Sequence, residues 1–530
     1  MDSCSPTSPL SRRGFLIAGT FAAATSFSGS TVARAARLPH RGEGPNIYER
    51  LGVRPFINAT SSRTINGGSE ALPEVIDAIR DASYYPANLD ELMAKVGPRI
   101  AELLGAPGAM VACGCAAAMT CGTLGCMAGG DIETLQQVPN TEGIRDEVVV
   151  PRWARSIYDH AIRMTGAKMI NVETVEDLEK AFGPQTFMVF AGHQVNYPDS
   201  KIPLEVLAKA AHDHGVPVLI DAAAELPLNP DPYLEAGADL VAYSGGKSLK
   251  GPQSGGLLLG RKDLTDAAYI ASAPHHTFAR PMKVSKEEIL GTLAAVEALA
   301  TTRDIEAEWE RYRTWYRHIR DRITKVPGVK SWIVESPRPG YYPVLHVEWD
   351  MDRIGLVARE IGEELLNGEP RIMSHAFPKE LDPTSMETNN FLIRPMSMYS
   401  DEYRFIAERL YGVLKNAPKG PRPKPKHAPA KGKLDGQWDI EIKFVAGKSR
   451  HTMYLQAQGN QLYGLHRGRI AEGKITGTVD GDRVTFESRG RYEAANMRYY
   501  FEGVVRGDEM GGELGLGEYG NGLWTAKRRA

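Results

Sequence analysis

The 530-residue chain is 42% hydrophobic and 24% charged, long and apolar enough for two or three globular domains. Its formal net charge of -2 offers no basic excess of the kind a nucleic-acid partner demands, so no nucleic acid is expected as a partner.

The N-terminus reads "SRRGFLIAGTFAAATSFSGSTVARA". Arg12 and Arg13 precede a mild apolar segment from Phe15 to Phe27, and Ala33 and Ala35 sit at the small-residue spacing of a signal-peptidase site. The segment is short and rich in Ser, Thr and Gly, which predicts a twin-arginine export signal cleaved near Ala35 and no stable membrane anchor. A periplasmic or secreted location follows as an expectation.

From about 47 to 416 helical and strand patterns alternate. "PEVIDAIRDASYY" opens on Pro73 and reads as a helix, and "ANLDELMAKVGPRIAELLG" as another that ends at Gly105. Short apolar runs recur between helices: "AMVA", "EVVV", "AKMINV", "TFMVF", "VPVLID", "DLVAYS" and "GGLLLG". Continuous apolar strands separated by helices predict a parallel sheet covered on both faces. Cys113, Cys115, Cys121 and Cys126 fall in "ACGCAAAMTCGTLGCMAGG", at a spacing that matches neither zinc knuckles nor common iron–sulfur patterns. They read as small side chains of a tightly packed helix, and no metal is expected. The pattern "SKEEILGTLAAVEALATTRDIEAEWERYRTWYRHIRDRIT" reads as one long helical stretch leading into a smaller α/β unit. The large domain is expected at about 71–325, and the small one at about 47–70 and 326–415.

"PKGPRPKPKHAPAKGK" (418–433) reads as an extended, solvated linker. Beyond it the period becomes two: Trp438, Ile440, Ile442 and Phe444 alternate with polar residues, as do Met497, Tyr499, Phe501 and Val505, with turns such as Asp480-Gly481 between runs. Residues 434–530 are therefore expected to form a small antiparallel β-sandwich or barrel, shielded from the core by the linker and able to fold alone. Gly436-x-Trp438 resembles the opening of a lipocalin-like barrel.

In "DLVAYSGGKSLKGPQSGGLLLG" Lys247 lies just beyond one apolar strand and before another, and "VPVLIDAAAE" puts Asp221 at the end of a third. Ligands of open parallel sheets bind outside those carboxyl ends. A lysine and a carboxylate delivered there point to pyridoxal 5'-phosphate, held as a Schiff base by Lys247 with Asp221 on the pyridine nitrogen. Ala223, on the same face as Asp221, leaves space for the ring. "MVACGCAAAMT" supplies a helix start at Gly114, Cys115 and Ala116 for the phosphate. His193 and Asn196, in "VFAGHQVNYPDS", are candidates for the cofactor's phenolic oxygen, and Arg394, in "NNFLIRPMS", for a substrate carboxylate. Arg63 could reach the site from "SSRTINGG" or serve in a structural ion pair; His275-His276 reads as a loop.

These stretches, with "RPMKVSKEEI" and "FINATSSRTINGGSEALPEVIDAI", resemble a branch of the fold-type I pyridoxal-phosphate enzymes that contains selenocysteine synthase (seryl-tRNA selenium transferase) and D-glucosaminate-6-phosphate ammonia lyase. The resemblance spans about 47–414. It implies an α/β fold with a mostly parallel sheet in the large domain and a small α/β domain, and a homodimer or higher homo-oligomer. It also implies Ser244 near the phosphate, and Gln253 and Ser254 at the site near a subunit boundary. Gly246 stands where selenocysteine synthases carry an acid, their N-terminal tRNA-binding region is missing, and Trp153 or Ala154 stands where the family places a ring-stacking histidine. Neither the export signal nor the β-rich tail belongs to the family pattern. The expected activity is α,β-elimination on a small amino acid or amino sugar acid. An aminotransferase, a racemase or a non-catalytic envelope binding protein are the alternatives.

Overall fold

The computed structural model describes residues 47–374, 388–420 and 426–529; the export signal expected at 1–35 lies outside them. Seven strands form the central sheet: β1 (Gly108–Cys113), β2 (Glu147–Pro151), β3 (Lys168–Val172), β4 (Thr186–Gly192), β5 (Val218–Asp221), β6 (Leu240–Ser244) and β7 (Gly255–Gly260). Their order is β1-β7-β6-β5-β4-β2-β3, with β7 antiparallel to both neighbours and the pairs from β6 to β3 parallel. Helices cover both faces, which is why β4 is buried along its whole length and carries no alternation. The register sets Cys113 opposite Gly255, Ser244 opposite Gly256 and Gly192 opposite Asp221. One edge of the sheet thus gathers the ends of β1, β4, β5 and β6 and the beginning of the reversed β7.

The helices that frame this edge are α1 (Pro73–Ser83), α2 (Leu89–Leu104), α3 (Gly114–Ala128), α4 (Lys286–Thr301) and α5 (Ile305–Ile323). The stretch expected to run as one helix is two. Asp304 accepts the Ala307 N–H at 2.9 Å and starts α5 afresh. Tyr312, Trp315, Tyr316, Ile319 and Ile323 of α5 pack in a second core with β8 (Val329–Val334), β9 (Val344–Trp349) and β10 (Asn390–Ile393), an antiparallel sheet of order β10-β9-β8. The division between the domains therefore falls near residue 302 rather than 325. The start of the described chain belongs here too, Ile57–Asn58 pairing with Ile372–Met373.

The tail is a closed eight-stranded antiparallel barrel, β11 (Gly436–Lys443), β12 (Lys448–Gln458), β13 (Gln461–Arg467), β14 (Glu472–Asp480), β15 (Arg483–Tyr492), β16 (Ala495–Arg506), β17 (Glu509–Gly515) and β18 (Asn521–Arg528), each strand paired with the next and β18 with β11. Closure leaves no open edge. Trp438, Ile442, Phe486, Phe501 and Trp524 fill its core, as the period of two predicts. The end of the linker is pinned rather than free: Ala428 N–H donates to Asp480 Oδ1 at 2.6 Å and Lys431 N–H to the Gly481 carbonyl at 2.9 Å.

Contrary to the expected shielding, the barrel docks on the enzyme core. Arg155 Nη2 meets Glu493 of the barrel at 2.7 Å and Arg155 Nε meets Asp159 at 2.6 Å, with Arg155 and Asp159 almost fully buried. Arg163 lies over the Tyr492 ring at 5.6 Å. Removing one partner of a buried ion pair leaves the other uncompensated. Arg155→Leu should therefore lower unfolding free energy by about 3–5 kcal/mol, because Asp159 stays buried. Glu493→Gln, at a partly exposed end, should cost about 1 kcal/mol or less. Urea denaturation of the two variants measures the difference, and equal losses would contradict this account of the contact.

Candidate active site

Lys247 sits in a loop with little room for side chains. Gly245 N–H donates to the Gly255 carbonyl at 2.8 Å, Gly251 N–H to the Gly245 carbonyl at 2.7 Å and Lys250 N–H to the Lys247 carbonyl at 2.9 Å. A Cβ on Gly246 would come within 2.6 Å of Ser69 Oγ and 3.0 Å of the Pro252 carbonyl. The loop is also held from below. Arg303, in the break between α4 and α5, donates to the carbonyls of Ser248 and Leu249, each at 3.2 Å, and is itself gripped by Glu308 at 2.8 and 3.1 Å.

Beside the lysine, α3 begins with its Cys113 cap position making no side-chain bond to the helix. Gly114, at φ +81°, turns the chain from β1 into α3, and Ala116 in the first turn is exposed. A Cβ on Gly256 of β7 would fall onto the Gly114 carbonyl, so glycine is required for the sheet to approach this helix start. The first N–H groups of a helix have no partner within it and favour an anion.

Asp221 ends β5. Its Oδ1 accepts the Ala223 N–H at 3.1 Å and the Cys115 thiol at 3.7 Å. Burial raises the Asp221 pKa, opposed by the Ala223 N–H and then by the charge of Lys247. Burial, reinforced by Asp221, also pushes the Cys115 thiol far up, so it stays protonated and can only donate. Cys121 is buried in the packed interior of the same helix, and the four cysteines at 113–126 are free thiols. Cys4 lies outside the described residues.

Glu225, four residues beyond Asp221, is completely buried, and neither of its carboxylate oxygens has a hydrogen-bond partner. Arg338 Nη1 stands 3.6 Å away and His193 Nδ1 3.9 Å. Burial raises Glu225 to about 7, with Arg338 opposing and Asp221 adding to the rise. Burial, then Arg338 and Lys247, pushes His193 down to about 3, so His193 is a neutral imidazole. Arg338 Nε also donates to Tyr197 Oη at 2.6 Å. Sequence reasoning passed over Glu225 and Arg338. A glutamate at the end of an apolar strand run was the available signal for the first; nothing in the sequence tied the second to it.

A cavity of about 1050 Å³ opens over Lys247, lined by Ala224, Tyr341, Tyr342, Met396, Arg63 and Arg394 of the core and by residues of the barrel. Arg394 is brought there by β-bridge pairing with Thr60. Ala224 lines the cavity wall, while the Ala223 N–H serves Asp221 and its carbonyl accepts the Ser244 N–H at 3.3 Å. Trp153 does not reach the cavity wall: it packs against the large core with its Nε1 buried and unbonded, and Arg155–Tyr158 present the wall instead. Gln253 is exposed and outside the cavity lining, and Ser254 donates to Glu288 of α4 at 3.0 Å. Asn196 shares the short 3₁₀ turn after β4 with His193. His275 meets Asp90 at 3.2 Å, away from this cavity.

The set fits pyridoxal 5'-phosphate. An uncapped helix start, reached only because Gly256 lacks a Cβ, suits the phosphate; a half-buried carboxylate with both contacts on one oxygen suits the ring nitrogen; a loop-held lysine suits the aldehyde carbon.

Comparison with known proteins agrees. Residues 160–344 match the family Aminotransferase class-V. The chain is 29% identical over 381 residues to a 5'-C-glycyluridine monooxygenase-decarboxylase of Streptomyces sp, covering 69% of this chain and 92% of that protein. It is 26% identical over 385 residues to the D-glucosaminate-6-phosphate ammonia lyase of Salmonella typhimurium, covering 70% and 99%. A solved D-glucosaminate-6-phosphate ammonia-lyase superposes with a TM-score of 0.59 at 25% identity, again over 70% of this chain and 99% of that one. An L-seryl-tRNA(Sec) selenium transferase of Rhizobium meliloti is 28% identical over 285 residues, 47% of this chain and 56% of that protein.

Glu225 makes the site's electrostatics measurable. A folded-state acid pKa of about 7 against an ordinary 4.5 means the folded chain keeps the proton longer, so this group's contribution to stability falls as pH rises between those values. Glu225→Gln should remove that loss. Relative to the parent it should gain about 3 kcal/mol between pH 4.5 and pH 8, from about 1.4 kcal/mol per pKa unit. Urea midpoints of the cofactor-free chains at pH 5 and pH 8 test this, and a pH-independent difference would contradict it.

Proposed function

Taking the chain as a pyridoxal-phosphate enzyme of the fold-type I, aminotransferase class-V type with lyase-like activity, we propose that it deaminates a small amino acid or amino sugar acid by α,β-elimination outside the cytoplasm. The observation that carries this reading is Lys247 at the floor of the cavity, its charge felt by Asp221, His193 and Glu225. Relatives matched over nearly their whole length and named as an ammonia lyase support it.

Bound cofactor supplies an electron-withdrawing pyridinium that stores the electron pair left at the substrate's α-carbon. Lys247 Nζ would hold the cofactor, and it is the base placed at the cavity to take the substrate's α-proton. Asp221, half-buried at the end of β5, would hold a proton on the cofactor's ring nitrogen by its charge. The first N–H groups of α3, with Ser244 nearby, hold the phosphate. Neutral His193, with Asn196 on the same turn, would serve the cofactor's phenolic oxygen. Arg394 takes the substrate carboxylate through paired N–H donors. A β-hydroxyl leaves as water with one proton, and hydrolysis of the resulting enamine's imine form consumes one water and yields ammonia and a 2-keto acid.

We take the working unit to be a homodimer. An apolar groove lined by Ala82, Tyr85, Leu290 and Leu293 runs between α1 and α4, beside the Glu288 that holds Ser254, and Tyr84 and Tyr85 next to it are about 70% exposed. A second copy on this face would cover Gln253. Export rests on Arg12-Arg13 and the Ala33/Ala35 site.

Borohydride reduction followed by peptide mapping should find the pyridoxyl label on Lys247, and Lys247→Ala should lower turnover by about 10²–10⁴-fold or more. Asp221→Ala should keep the label yet lose about 3–4 kcal/mol of transition-state stabilisation, the scale of one preorganised electrostatic contact. Label on Lys250 or Lys262 would overturn the assignment. A requirement for a keto-acid acceptor, or α-carbon inversion without ammonia, would replace elimination by transamination or racemisation. Changing Arg12 and Arg13 together to lysine should leave full-length protein in the cytoplasm, and normal processing of that variant would refute twin-arginine export.

A further inference from the structure

The cavity over Lys247 has walls of two origins. The enzyme core contributes Arg63 and Arg394, while the barrel contributes Arg489, Arg491 and Arg498. Among the described residues that line the cavity, Glu518 is the one acidic side chain. Arg155, which also reaches the wall, is neutralised by Asp159 and Glu493.

Two features show that this positive charge is crowded rather than incidental. Arg489 on β15 stands directly opposite Arg498 on β16, and like charges in that cross-strand position repel. Arg63 is held below its ordinary pKa by burial and then by the charge of Arg394, so the two guanidiniums on the core side also repel. Arg489 pairs with Glu487 at 2.8 Å, while Arg491 spends Nε on the Glu493 backbone carbonyl at 2.8 Å, which compensates no charge. Burial also lowers the Arg498 pKa. Crowded cations of this kind are stabilised when an anion sits between them. The cavity, at about 1050 Å³, is large beside the usual range of about 300–1,000 Å³ for small-ligand sites, leaving length beyond that of a simple amino acid.

We propose that the C-terminal barrel is the distal wall of the active site, and that Arg489, Arg491 and Arg498 form a subsite for a second anionic group, phosphate ester or carboxylate, at the far end of an amino-acid substrate. The proposal rests on Lys247 marking the reaction centre. The core arginines take the carboxylate next to the reacting carbon, and the barrel arginines select substrates whose other end is charged. The tail is then a specificity element rather than an appended module.

The test is isothermal titration calorimetry at low ionic strength on the cofactor-loaded, full-length protein, with inorganic phosphate and succinate as separate probes. Loaded cofactor occupies the α3 site, so phosphate binding there does not interfere. At least one probe should bind. Arg491→Gln/Arg498→Gln should weaken it by about tenfold or more, the scale of a lost charged hydrogen bond. Arg491→Lys/Arg498→Lys should retain most of the binding, since it keeps the charge, and the exposed Arg491→Gln alone gives an intermediate loss if the double variant does not fold. Tighter phosphate identifies a phosphate ester as the charged end, and tighter succinate a carboxylate. Absence of binding by the parent, or equal binding by the glutamine variants, overturns the subsite. Because anion binding is read without turnover, a protein that binds phosphate through these arginines but releases no ammonia would refute elimination and leave the subsite standing.

Discussion

Burying Glu225 and half-burying Asp221 beside Lys247 at one edge of the sheet costs desolvation energy that only opposite charge and directed hydrogen bonds offset. The surrounding structure supplies those offsets one by one. Ala223 and Cys115 donate to Asp221, and Arg338 stands by Glu225, yet Glu225 remains short of partners and its affinity for a proton stays high. A site left under-compensated in this way is poised to respond to a bound, charged ligand.

Holding the lysine there takes support from outside its own loop. Gly245, Gly246, Gly255 and Gly256 allow backbone to meet backbone, and Arg303 clamps the carbonyls of Ser248 and Leu249. Arg303 can do so because the helical stretch breaks where Asp304 caps α5. The same break turns α5 into the second core, so one local interruption both fixes the lysine loop and links it to the small domain that carries Arg394.

The barrel changes the meaning of the cavity. Docking through Arg155, Asp159 and Glu493 brings residues of β15 and β16 into the wall of the cavity that Lys247 also lines. The loop 152–159, in which Trp153 or Ala154 stands where the family places a ring-stacking histidine, holds the barrel through Arg155 and Asp159. Trp153 turns into the large core, and Arg155–Tyr158 face the cavity.

Sequence alone determined what depends on local chemistry and periodicity: a mostly parallel sheet from continuous apolar strands, though not the reversal of β7, the barrel strands from their period of two, and the placement of Lys247, Asp221 and the start of α3 at strand ends. These are legible because strand ends of an open sheet converge wherever the chain goes between them. Only the tertiary structure decided that Ala224 lines the cavity, that Trp153 packs against the large core, that Glu225 and Arg338 meet across 113 positions of chain, and that barrel residues line the cavity together with Lys247. Those facts rest on contacts between residues far apart in sequence, each worth a few kcal/mol once made, and no local pattern records which distant partner will make them.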